Sequence, residues 1–160
     1  MNERRTSAYV LICSLLALLF FLRVAAQALA AFADIPFLPP MREWITPSAS
    51  PFSTSGLVPY PILLTAQVLI LIFQIAVIRD FATGKGYFVS LSEKTGRILL
   101  WLSYLYFGSM ALRYIITMTL YPDRRWLGHA VPIILHFVLA GFLFTLGVYQ
   151  TRRRDTPNRG

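Results

Sequence analysis

Residues 97–122 read RILLWLSYLYFGSMALRYIITMTLYP, an apolar run closed by Pro122 and interrupted by one charge well inside it, Arg113. A hydrocarbon core about 30 Å thick takes roughly 20 helical residues to cross, so the run is long enough to span a bilayer. An arginine at membrane depth costs about 3 kcal/mol on insertion scales, and such a residue is expected to face a bundle interior, a water-filled cavity or a partner. Tyr106, Ser109, Arg113 and Thr117 fall on one helical stripe, at the i, i+3, i+7, i+11 spacing.

Outward from this stretch the chain repeats the same kind of text. Four apolar runs, about 7–33, 61–78, 97–120 and 130–150, are each long enough to cross. The 160 residues are 56% hydrophobic and 14% charged, and the mean hydropathy is +0.60, which is not a soluble composition. The expected fold is an all-α membrane protein, a four-transmembrane-helix up-down bundle forming a single integral membrane domain over residues 1–160.

The net charge of +8 raises the question of a polyanion partner, and the placement of the charges answers it differently. With the N-terminus taken as cytoplasmic, Arg4, Arg5, Arg79, Lys85, Lys94, Arg97, Arg152, Arg153, Arg154 and Arg159 fall inside, against Arg42, Arg124 and Arg125 outside. That is the positive-inside pattern of a multi-pass inner-membrane protein with both termini cytoplasmic. The partners expected are the lipid bilayer and either other membrane subunits or further copies of the chain; no nucleic acid is expected. Residues 1–33 also resemble a signal peptide, with Arg4 and Arg5, an apolar core and an alanine-rich end. Arg23 interrupts that core and apolar character continues to Phe32, so a retained helix is expected.

Residues 34–60 carry Pro36, Pro39, Pro40, Pro47, Pro51 and Pro59, too many for a long helix. They are expected to form an outer loop lying on the bundle mouth or the headgroup layer, with Trp44 in the aromatic belt. The segment 81–96 reads as a short cytoplasmic loop, 121–128 as an outer turn, and 155–160 as a disordered tail. Thr83-Gly84-Lys85-Gly86 lacks the spacing of a phosphate loop and follows no strand.

The polar residues of the apolar runs give the candidate site. Arg23 and Gln27 share a face of the first run with Ala30 and Asp34, and Ala26 and Ala30 suit close helix approach. Gln67 and Gln74 lie seven apart on one face of the second run, where buried amides act as interhelical glue worth about 0.6–2 kcal/mol; glue is the expected role of Gln74. At about 1.5 Å per residue, Arg23, Gln67, Arg113 and His136 all fall in the outer third of the bilayer. The two halves also echo each other: Phe21-Leu22-Arg23 is similar to Ala111-Leu112-Arg113, and Pro61 and Pro132 each open a returning helix. The echo suggests two αα-hairpin repeats related by an axis along the membrane normal.

Chemistry is sparse. His129 and His136 lie on one run, so no pair of facing histidines is available for a haem, and nothing completes a zinc set. One axial haem ligand remains possible, and the cofactor is left unknown. Cys13 is the only cysteine and reads as a small core residue. No carboxylate is expected in the core. Two functions remain. One is a non-catalytic subunit or interaction module whose polar layer fixes helix register. The other is a binder of an amphiphile, such as a quinone, an anionic lipid or a pigment, held by Arg23, Gln27, Gln67, Tyr106, Arg113 and His136. Arginine's planar fork suits an acidic or carbonyl headgroup.

Overall fold

The computed structural model describes residues 3–32, 60–120 and 131–152; the outer loop, the outer turn and the tail expected from sequence lie outside them. The described residues are helical apart from the short connections 84–86 and 91–92: α1 Glu3–Phe32, α2 Tyr60–Thr83, the single turn α3 Tyr87–Ser90, α4 Glu93–Leu120 and α5 Val131–Arg152. Among the described residues three stretches are long and apolar enough to cross a membrane, Thr6–Leu29, Pro61–Thr83 and Glu93–Leu120. The fourth long helix, α5, has 22 residues, about 33 Å of rise.

Two helix ends reach further than hydropathy suggests. The second run continues as helix from Ile78 to Thr83, and the fourth element begins at Glu93 rather than Arg97. Ser92 explains the second extension. Its hydroxyl accepts the Thr95 amide at 3.2 Å and its carbonyl accepts the Gly96 amide at 3.1 Å, which is an N-cap.

On α1 the helix packs with most of its leucines outside and small, aromatic or amide residues inside. On α1 the buried positions are Cys13, Ala17, Phe20, Val24 and Gln27, while Leu11, Leu15, Leu18, Leu19 and Leu22 are exposed. The buried set steps by 4, 3, 4 and 3 residues, the repeat that keeps one seam facing a neighbour. Gln67, Gln74, Val77 and Phe81 form the corresponding seam of α2. Between helices in lipid the hydrophobic effect supplies little, so close packing and polar bonds decide which face turns inward.

The main core lies at the end of the bundle that carries α3. Cys13, Val77, Phe81, Val89, Phe142, Leu146 and Tyr149 form it. Phe81 stacks on Tyr149 with ring centroids 3.9 Å apart, and Tyr9 meets the same ring edge-on at 5.4 Å. α3 is tied in from two sides. The buried Asp80 carboxylate accepts the Phe88 amide at 3.1 Å, and the Gln150 amide donates to the Phe88 carbonyl. Asp80 therefore corrects the expectation that no carboxylate lies in the core. Its role is to close the turn, which needs Gly86 at φ +118° because a Cβ there would overlap the carboxylate.

α4 and α5 make the most extensive pairing, α1 packs on both α2 and α5, and α2 and α4 make no comparable contact. Glycine permits the α4–α5 approach: a Cβ on Gly147 would sit 3.0 Å from the Gly96 carbonyl oxygen and 3.0 Å from the Leu100 nitrogen. Neither backbone atom can yield. The hairpins α1–α2 and α4–α5 are thus joined along α1–α5 and through ring contacts of α2 with α5, Phe81 on Tyr149 and Phe73 on Phe142, while α2 and α4 make no extensive contact.

Candidate functional site

The sequence-expected residues divide between two polar groupings, one on each hairpin, and a cleft lies beside them. On the α1–α2 hairpin, Arg23 Nη1 donates to Gln27 Oε1 at 3.0 Å, and Gln67 Nε2 donates to the same oxygen at 3.1 Å. Arginine can only donate, so it holds the Gln27 oxygen toward itself. Gln67 must then present its NH2 to that oxygen, and its own carbonyl oxygen is left without a hydrogen-bond partner among the described residues. Gln27 and Gln67 are buried. The bond between them ties α1 to α2 through groups 40 residues apart in sequence.

On the α4–α5 hairpin the Tyr106 hydroxyl and His136 Nδ1 lie 2.5 Å apart, with the two rings edge to face at 5.7 Å. Arg113, two turns along α4 from Tyr106, is half-buried and within electrostatic range of His136. The stripe anticipated on α4 is only partly an inner face. Ser109 is exposed and its hydroxyl donates to the Tyr106 carbonyl of its own helix at 2.8 Å, the usual resolution for a serine on a lipid-facing turn. The side chain of Thr117 lies outside the described residues.

The Arg23–Gln27, Gln67–Gln27 and Tyr106–His136 hydrogen bonds each run within one hairpin rather than across the bundle. Sequence depth placed the groups at a common level but held no information on which helices adjoin.

The cleft lies where α2 and α4 fail to meet. Ile70, Phe73 and Gln74 of α2, Tyr106 of α4, and Leu139, Phe142 and Leu143 of α5 line a space of about 240 Å3. Gln74 is 0% exposed, yet neither its Nε2 nor its Oε1 has a hydrogen-bond partner among the described residues. The interhelical bond expected of Gln74 is thus not made among the described residues; its amide faces the cleft instead. Phe73 packs edge-on against Phe142 at 6.2 Å and against Phe88 at 5.3 Å, which places one wall of the cleft on the α3 core.

Sequence reasoning missed the Asp80–Phe88 and Gln150–Phe88 bonds and the Gly96–Gly147 crossing. The signals were present as an aspartate and a glutamine within apolar helices, and as glycines in runs where glycine has no conformational use. Among the described residues no three His, Cys, Asp or Glu side chains come together in a metal-holding arrangement. Set against known protein families, curated proteins and solved structures, the chain matches none.

Proposed function

We propose that this chain is a non-catalytic, multi-pass module of the inner membrane, with both termini cytoplasmic, that assembles with other membrane subunits or with itself. The observation that carries the reading is the Arg23–Gln27–Gln67 bonding, in which polar groups in apolar helices are used to fix which helix faces which. Register is the best-attested use of a buried polar group. The apolar surface of α4 supplies the outward half of the reading. Ile98, Trp101, Leu102, Leu105, Leu112 and Ile115 are all exposed, and the helix is pinned to the bundle through α5 alone among its extensive contacts.

The amphiphile reading of the outer polar layer is less well supported, for a reason of polarity. The one atom of Gln67 left over is an acceptor, which takes a donor and repels an anionic headgroup.

Solubilisation from native membranes in mild detergent, followed by native mass spectrometry, tests the module. The expected result is a complex of defined mass above that of one chain, with Gln67→Leu shifted toward the single chain at unchanged helix content. Recovery of the wild type only as a single polypeptide would overturn the reading.

A further inference from the structure

We propose that the cleft between α2, α4 and α5 is a binding site for a lipid-soluble quinone, with Gln74 as the group that holds a ring oxygen. The site lies outside the Arg23–Gln27–Gln67 bonding on which the assembly reading rests.

The inference starts from the Gln74 amide. It has two donors and an acceptor, it is fully buried, and neither heavy atom is bonded among the described residues. Leaving such a buried group unsatisfied is unfavourable, so an occupant that bonds it is favoured. The surroundings select the occupant. Phe73, Phe142, Leu139 and Leu143 make the lining apolar, while the Tyr106 hydroxyl at its edge is already bonded to His136. A water wants two to four polar partners, and here Gln74 is the one offering open bonds. A bare acyl chain fills the space but leaves the amide unbonded. Among the described residues no arginine or lysine lines the cleft, so a charged headgroup finds no counter-ion there.

What fits is a neutral ring carrying a carbonyl or hydroxyl. The volume of about 240 Å3 falls just below the range of about 300–1,000 Å3 typical for drug-sized ligands, and suits one substituted ring whose tail leaves between α2 and α4. The Phe73 and Phe142 rings offer edges and faces to a planar π-system. A quinone carbonyl accepts from Gln74 Nε2, and a quinol hydroxyl can also donate to Gln74 Oε1, so the amide serves either redox state without moving.

The test uses the full chain in phosphatidylcholine nanodiscs titrated with a decyl-tailed benzoquinone, followed by infrared difference spectroscopy of the quinone carbonyl. The expected result is saturable one-to-one binding with the carbonyl stretch lowered by hydrogen bonding. Gln74→Leu should weaken binding about tenfold, the worth of one buried hydrogen bond, and abolish the band shift. Leu143→Phe, which fills the cleft and leaves the amide in place, should also weaken binding, whereas Leu112→Ala on the outward face of α4 should not. Should Gln74→Leu misfold by circular dichroism, Leu143→Phe and the wild-type band shift still decide the matter. The proposal is overturned by absence of saturable binding to the wild type, by an unshifted carbonyl band, by equal affinity in folded Gln74→Leu, or by a stoichiometric phospholipid that the quinone does not displace.

Discussion

Gln67 Nε2 on α2 and Gln27 Oε1 on α1 are 3.1 Å apart, and the arginine one turn from Gln27 dictates which end of each amide faces the other. Replacing Gln67 with leucine should weaken the α1–α2 pairing by about 0.6–2 kcal/mol, read as a lower midpoint in SDS-induced unfolding. A double-mutant cycle with Gln27→Leu should return a coupling energy in that range. Zero coupling would show that the bond is geometric only.

The α4–α5 crossing admits no side chain at Gly147. Gly147→Ala should destabilise by about 1–3 kcal/mol, the usual cost of forcing atoms into a packed contact, because the obstructing atoms include the Gly96 carbonyl and the Leu100 amide nitrogen. Gly108 on α4 has open space around its Cβ direction, so Gly108→Ala should be neutral or stabilising by up to about 1 kcal/mol through helix propensity. Thermal unfolding of the two variants side by side checks the contrast.

At the α3 turn, Gly86 and Asp80 are a matched pair. Gly86→Ala adds a Cβ to a left-handed residue and drives it into the Asp80 carboxylate, so a loss of about 1–3 kcal/mol is expected. Asp80→Asn keeps an acceptor for the Phe88 amide and should cost less than Asp80→Leu, which leaves that amide unbonded at about 1–3 kcal/mol. Hydrogen exchange at Phe88 reads the difference directly: fast in Asp80→Leu, protected in the wild type.

Tyr106→Phe removes the hydroxyl bonded to His136 while keeping the ring. A destabilisation of about 0.6–2 kcal/mol is expected if the bond holds α4 to α5. The His136 side-chain nitrogen shift in NMR should move in Tyr106→Phe and stay in place in Ser109→Ala, since the Ser109 hydroxyl bonds only its own helix.

Much of the helical architecture was legible because a membrane span is long and compositionally plain. α1, α2 and α4 stand out by hydropathy, and Arg23, Gln27 and Gln67 stand out as polar residues with nowhere else to bond. Lateral arrangement was not legible. The leucines that dominate α1 point outward and its inward seam is Cys13, Ala17, Phe20, Val24 and Gln27, so apolarity alone does not indicate the buried face. Gln67 and Gln74 share a face and a residue type, yet Gln67 meets Gln27 of α1 while Gln74 has no hydrogen-bond partner among the described residues; the difference lies in what each neighbouring helix presents opposite, which spacing along α2 does not reveal. The Asp80 interaction was hidden because an aspartate at a helix end reads equally well as solvated.

A four-membered frame braced along three sides has a freedom that a fully braced one lacks. No extensive contact of their own sets the spacing of α2 from α4; it follows from the other three seams and from the rings that tie α2 to α5, Phe81 on Tyr149 and Phe73 on Phe142. The open side is therefore a doorway whose posts are each held from behind, and a substitution at Gly147 or at Phe81 changes its width without touching its lining.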